Sequence, residues 1–276
     1  MTIKLSFKKI IIILLLIIFV WAAFYNGLTV KYYTLKTNKI NESIRIVLIT
    51  DLHSCFYGEE QLRLINKINE QKPDIILMSG DIADDIFPHD GVISMLKGIA
   101  DEYPCYYVSG NHEFWSGEID SIKMMFEAHG VKVLSGSGEA ILLNNQMINI
   151  CGVDDPEVSV PVFNNQLENA LPATSEYYTI LLSHRPELFE KYMSLNCDLV
   201  LSGHAHGGQW RIPFILNGLI APNQGFFPKY AGGVYTENGR TMVVSRGLAL
   251  WSTRIPRIFN PPELVVIELI PEKEIT

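Results

Sequence analysis

Five short apolar runs in this chain each stop on residues able to hold a metal ion. Ile44 to Thr50 leads into Asp51 and His53, Ile75 to Ser79 into Asp81, Cys105 to Ser109 into Asn111 and His112, Tyr178 to Ser183 into His184, and Leu199 to Ser202 into His204 and His206. Runs of this length, bounded by Gly and polar residues, read as strands. Between them lie stretches with helical spacing, such as Leu62, Ile65 and Ile68 within 59–70, and Ile119, Ile122, Met125 and Phe126 ahead of the stop at Gly130. Strands interleaved with helices predict a layered α/β architecture. In an open α/β sheet the residues that follow strand C-termini converge on one crevice, where ligands bind.

Taken singly, an Asp or His behind a strand is a turn or capping residue. The ensemble argues otherwise, because five of the seven histidines fall at these junctions and only His89 and His129 lie elsewhere. Several imidazoles and carboxylates in one crevice are poor company for each other without cations, and they are what borderline divalent metals require. Further strands are expected at 131–134, 141–143, 148–152 and 264–269, with a hairpin turning on Asn238-Gly239. The four cysteines, Cys55, Cys105, Cys151 and Cys197, are scattered and read as small core residues.

Lys4, Lys8 and Lys9 precede an apolar run from Ile10 to Tyr25 that continues more mildly to Val30. At about 20 residues this is long enough for a bilayer core. An uncleaved anchor is favoured over a signal peptide, whose apolar region is usually about 7 to 15 residues and ends on small residues. The expected organisation is a basic tail (1–9), a transmembrane helix (10–30), a polar tether (31–43) and one catalytic domain (44–276). That makes a single-pass cell-membrane protein, its lipid bilayer contact supplied by 10–30. Lys31, Lys36 and Lys39 after the span nearly cancel the charge bias before it. The short basic tail then places the domain on the extracytoplasmic side.

The five blocks stand in the order Asp51-Leu52-His53, Gly80-Asp81-Ile82-Ala83-Asp84, Gly110-Asn111-His112-Glu113, Ser183-His184 and Gly203-His204-Ala205-His206. This order resembles the calcineurin-like metallophosphoesterase superfamily, whose fold is a β-sandwich flanked by helices. Gly207-Gly208-Gln209, 224–230, Ser245-Arg246-Gly247-Leu248 and Asn260-Pro261-Pro262-Glu263 resemble its membrane-associated bacterial branch, which includes enzymes of UDP-diacylglucosamine-like lipid pyrophosphate cleavage. The resemblance implies two divalent metal ions, with Asp51, His53 and His206 on one, Asn111, His184 and His204 on the other, and Asp81 bridging. It further implies attack by a metal-bridging hydroxide, with His112 as proton donor and Asp84 orienting it. Imidazole, carboxylate and amide donors suit Mn, Fe, Zn or Ni.

No phosphate-binding G-x-x-x-x-G-K-[ST] loop, G-x-S-x-G elbow or H-E-x-x-H helix competes with this reading. A net charge of −8, from 22 Lys+Arg against 30 Asp+Glu, opposes specific nucleic-acid binding. The aromatic stretch 210–230 beside the last block is either packing against the sheet edge or an apolar wall for an acyl chain. Arg185, Arg211, Lys229 and Arg246 are equally open as phosphate contacts or structural cations. The expectation is a metal-dependent hydrolase of a phosphodiester or pyrophosphate, on a small-molecule or lipid-linked substrate. The alternative is a metal-binding scaffold or sensor without turnover.

Overall fold

The computed structural model describes residues 7–250 and 255–272. The chain opens with α1 (Phe7–Ala23) and β1 (Thr29–Thr37), followed by β2 (Ile44–Ile49), α2 (Leu62–Asn69), β3 (Ile75–Ser79), α3 (Asp90–Ile99), β4 (Cys105–Val108), α4 (Asn111–Trp115), α5 (Ile119–Ala128) and β5 (Lys132–Val133). Its second part runs through β6 (Ser137–Leu143), β7 (Gln146–Gly152), α6 (Val160–Ala170), β8 (Tyr178–Leu182), α7 (Phe189–Met193), β9 (Leu199–Ser202) and the short β10 (Ile220–Ala221) and β11 (Gly225–Phe226). The hairpin β12 (Gly233–Glu237) and β13 (Arg240–Val244) precedes the last strand, β14 (Glu263–Pro271).

These strands build two six-stranded mixed sheets, ordered β1-β14-β2-β3-β4-β5 and β12-β13-β9-β8-β7-β6. The unbroken apolar character of the central strands now has a cause, because both of their faces are covered. Ile44, Ile46, Leu48, Ile75 and Leu77 of the first sheet meet Ile148, Ile150, Ile180, Leu199 and Leu201 of the second across the sandwich. Their neighbours Val47, Ile49, Ile76 and Met78 point the other way, under Leu64, Ile68, Met95, Leu96, Ile122 and Phe126 of α2, α3 and α5. On the far side Cys151, Leu181 and Val200 lie under Phe163, Leu167, Phe189 and Tyr192 of α6 and α7. All four cysteines are free and buried. Asn238 and Gly239 take φ of 51° and 76°, the paired left-handed values of a type I′ hairpin.

The expected transmembrane helix over 10–30 is not found: among the described residues no helix is long and apolar enough to cross a membrane. α1 has 17 residues, a rise of about 26 Å against a hydrocarbon core of about 30 Å. It stops at Ala23 because the chain must turn there to enter the sheet; Phe259 N–H donates to Ala23 O, and Thr29 is already registered against Glu263. The expected tether differs in the same way. Residues 31–37 are the body of β1, paired in parallel with β14 out to Thr37 and Pro271. Lys4 of the basic tail lies outside the described residues.

Candidate metal centre

Each chemical block sits where a strand ends and the backbone reverses. Asp51 and His53 follow β2, Asp81 follows β3, Asn111 opens α4 after β4, His184 follows β8, and His204 and His206 follow β9. Five of these residues, Asp51, His53, Asp81, His204 and His206, adopt left-handed φ of 47° to 65°, a conformation that turns their side chains back over the sheet edge. Glycine neighbours make the close approach possible. A Cβ on Gly110 would sit on Asp81 Oδ1 and crowd the Asp81 backbone nitrogen.

The side chains form two overlapping groups, Asp51, His53, Asp81 and His206, and Asp81, His184 and His204, with the donor atoms of each group within 4.8 Å of one another. Asp81 belongs to both. His184 Nε2 is 3.1 Å and His53 Nε2 3.7 Å from Asp81 Oδ2, and His206 Nε2 is 3.7 Å from Asp51 Oδ1. Asn111 is buried beside Gly110 at the start of α4.

Whether these residues fit metal ions is decided by their unsatisfied atoms. Asp51 Oδ2, His53 Nε2, Asp81 Oδ2, Asn111 Oδ1, His184 Nε2 and His206 Nδ1 are buried and make no hydrogen bond. Buried polar atoms are nearly always paired, and six orphans on six of the seven expected ligands are explained together by cations. The opposite ring nitrogens are held: His53 Nδ1 by Asp84 Oδ2 at 3.0 Å, His184 Nδ1 donating to Ser79 O at 2.8 Å, and His204 Nε2 by Asn223 Oδ1 at 2.8 Å. Such outer contacts fix the tautomer and aim of metal-binding imidazoles.

The electrostatics agree. Burial holds the His204 and His206 imidazoles well below their ordinary range, so they stand neutral, the form that ligates. Burial would raise the Asp81 carboxyl, but His184 and His53 outweigh it and hold it well below the carboxylate range. Burial disfavours a charged His184, yet Asp81 and Asp51 push it up to about 10. A proton on His184 and a cation beside it answer the same carboxylates.

His112 lies at the rim, its ring 4.3 Å from that of His53 and its side chain 19% exposed. The expected partner Asp84 is not the one it bonds. His112 Nδ1 is 2.6 Å from Asp85 Oδ1 and 3.7 Å from Asp84 Oδ2. The reason is local: Asp84 Oδ1 caps the Ile86 and Phe87 N–H groups while Oδ2 is committed to His53. Asp84 therefore holds the His53 ring, and Asp85 holds that of His112.

Three further features went unassigned in the sequence. Glu113 is fully buried and accepts N–H bonds from Asp81, Ile82, Ala83 and Gly110 at 2.7–3.0 Å, tying the β3 loop to the head of α4. Its position third in that helix, facing back to Gly110, is half of a capping box and was readable as such. Burial and Asp81 push its carboxyl up to about 7. Arg185 is buried in a bidentate pair with Asp155 and sets Nη1 2.7 Å from Asn223 Oδ1 and 3.4 Å from His204 Nε2. Lys229, by contrast, is exposed and pairs with Glu190. The stretch 210–230 divides between the two readings: Ile212, Phe214, Ile215, Phe226 and Phe227 are exposed, whereas Ala221 and Tyr230 pack in the core under α7.

The family model for calcineurin-like phosphoesterases matches residues 44–208, which span all five blocks. An uncharacterized metallophosphoesterase of Helicobacter pylori is 29% identical over 279 residues, covering 98% of this chain and 72% of the relative. The uncharacterized metallophosphoesterase YkuE of Bacillus subtilis is 31% identical over 247 residues, covering 86% and 84%. Among solved structures, the phosphopantetheinyl hydrolase of Mycobacterium tuberculosis superposes with a TM-score of 0.50 at 13% identity, over 84% of this chain and 97% of that one, a likeness of fold alone.

Proposed function

Because the chain belongs to the calcineurin-like phosphoesterase family, and is therefore a metal-dependent phosphoester hydrolase, we propose that its substrate is a phosphodiester or pyrophosphate bearing an apolar group. The observation that carries the hydrolytic centre is the set of six orphaned donor atoms gathered around Asp81. Asp51, His53 and His206 would hold one divalent ion and His184, His204 and Asn111 the other, with Asp81, common to both groups, available to each. When bound, the ions supply charge neutralisation at the phosphoryl oxygens and an acidified water.

The chain's own groups do the rest. Asp81 Oδ1 accepts the His112 N–H at 2.9 Å, which seats the head of α4 over the carboxylate. Asp85 fixes Nδ1 of His112, leaving Nε2 to give a proton to the leaving oxygen. Arg185, held rigid by Asp155, presents a guanidinium edge beside His204 where a phosphoryl oxygen is stabilised. The apolar part of the substrate is supported by Phe214, Ile215, Phe226 and Phe227, which stand exposed on the segment following His206.

The test is hydrolysis by the metal-loaded full chain of an aryl phosphodiester, an aryl monoester and a lipid pyrophosphate, under Mn, Fe, Zn and Ni in turn. Preference for the lipid pyrophosphate over the aryl diester is expected. Cleavage of the aryl diester alone would overturn the apolar-substrate reading and leave the hydrolase intact.

A further inference from the structure

Away from the metal ligands, a cavity of about 360 Å³ opens where β1, β12 and the start of β14 meet the loop after His206. Its lining includes Lys31, Tyr33, Arg211, Asn217, Arg246 and Glu263. Three cations therefore face one carboxylate, and Glu263 is already taken by Arg246. Among the described residues neither Lys31 nor Arg211 forms an ion pair; the Lys31 ammonium stands 5.4 Å from the Tyr33 ring, and Arg211 reaches only Gly207 O and Asn217 Oδ1. On a chain of net charge −8, a recess with this excess of positive charge runs against the global sign. Partial burial of Arg211 and Arg246, with Lys31 exposed at the rim, makes it more costly, since like charges in a recess repel more strongly than in open water.

We propose that this cavity is an anion site that takes a phosphate group, free or esterified. The chemistry fits: a guanidinium offers a planar fork matched to two phosphate oxygens, and an ammonium and a phenol add point donors. Burial and the neighbouring Arg246 already press the Arg211 guanidinium down from its ordinary range, a penalty that an anion between the two relieves. A second recess of about 480 Å³ shares Arg211, Asn217 and Arg246 and is walled by Phe214 and Ile215. A phosphoryl group carrying a chain would lie across both; inorganic phosphate would use the first alone.

Calorimetric titration of the metal-loaded full chain with inorganic phosphate and with hexyl phosphate tests this. Binding should weaken roughly ten- to a hundredfold in Arg211→Gln, the loss of one charge-assisted contact. It should weaken in Lys31→Gln too, and stay unchanged in the exposed control Lys229→Gln, with metal content and melting temperature at wild-type values. Tighter binding of hexyl phosphate than of phosphate marks an esterified ligand, and equal binding marks the free anion; either supports the site. The site must also survive Asp81→Asn, which removes anion binding at the metals. If all phosphate binding disappears with Asp81→Asn, or if Arg211→Gln and Lys31→Gln both bind as wild type, the cavity is not an anion site, and the hydrolytic assignment is untouched.

Discussion

Asp84 and Asp85 are neighbours in sequence with different work to do, and substituting each separately reads that difference out. In Asp85→Ala the 2.6 Å contact to His112 Nδ1 is lost, while no donor atom of the metal cluster is altered. A hydrogen bond between an imidazole and a carboxylate is worth about 1.5–3 kcal/mol. If that energy holds His112 aimed at the leaving oxygen, turnover falls roughly ten- to a hundredfold with KM and metal content nearly unchanged. The loss should grow for poorer leaving groups, which depend more on proton donation, so an alkyl ester should suffer more than a nitrophenyl ester. Asp84→Ala removes the carboxylate from His53 Nδ1 at 3.0 Å and uncaps Ile86 and Phe87. Loss of such an outer contact typically costs 10- to 100-fold in metal affinity, so this variant should need more metal for the same activity. Steady-state kinetics on two leaving groups, beside elemental analysis of dialysed protein, separates the outcomes. Should Asp85→Ala turn over at the wild-type rate, or should it lose metal as Asp84→Ala does, the assignment of Asp85 to His112 is wrong.

Glu113→Gln keeps the shape of the side chain but replaces one acceptor oxygen by a donor facing backbone donors. With about two N–H groups left buried and unpaired at about 1–3 kcal/mol each, a lower melting temperature and weaker metal binding are expected; wild-type values for both would show that the clamp is not needed. Gly110→Ala places a methyl against the Asp81 carboxylate and should strip metal from a chain that still folds, as checked by circular dichroism and elemental analysis. Chelation of the wild-type protein should lower its melting temperature. An ion present at a hundred times its Kd contributes about 2.7 kcal/mol, a shift of about 5–11 °C for a domain of this size.

What could be read beforehand follows from how each residue earns its place. β2, β3 and β9 were legible because strands covered on both faces must be largely apolar, as Ile44–Ile49 is apart from the half-buried Arg45 and Ile75–Ser79 and Leu199–Ser202 are up to their last residue. β1 was missed because it is an edge strand whose exposure alternates, and its partner β14 lies at the other end of the chain. Hydropathy alone credited residues 24–30 to a membrane helix, although the pairing of Thr29 and Val30 with β14 claims them for a sheet. α3 was hidden by Gly91 and Gly98, which weaken a helical pattern. Gly98 is required by packing, since a Cβ there would strike the Ile65 side chain of α2. The choice between Asp84 and Asp85 was not legible at all, because it depends on which carboxylate the following turn uses as its cap.

The blocks stood out so clearly because conformational and chemical demands coincide in them. Left-handed φ at non-glycine residues costs of the order of 1–3 kcal/mol each, and it persists only where the surroundings over-determine it. Here they do so by bonding loop to loop as well as within each loop. Asp51 N–H donates to Gly80 O, His53 N–H to Asp81 O, Gly203 N–H to His184 O and Leu248 N–H to Asp51 O, while Asp51 Oδ1 receives the His204 N–H. Each turn is thus braced by another turn that carries ligands of its own. Side-chain substitutions in the β2 and β3 loops leave these main-chain braces in place, yet they should not add: removing His53 after Asp81 should cost far less metal affinity than removing it first, because the two donors belong to one cluster. Independent, additive losses in the double-mutant cycle would mean that Asp81 and His53 do not serve the same ion.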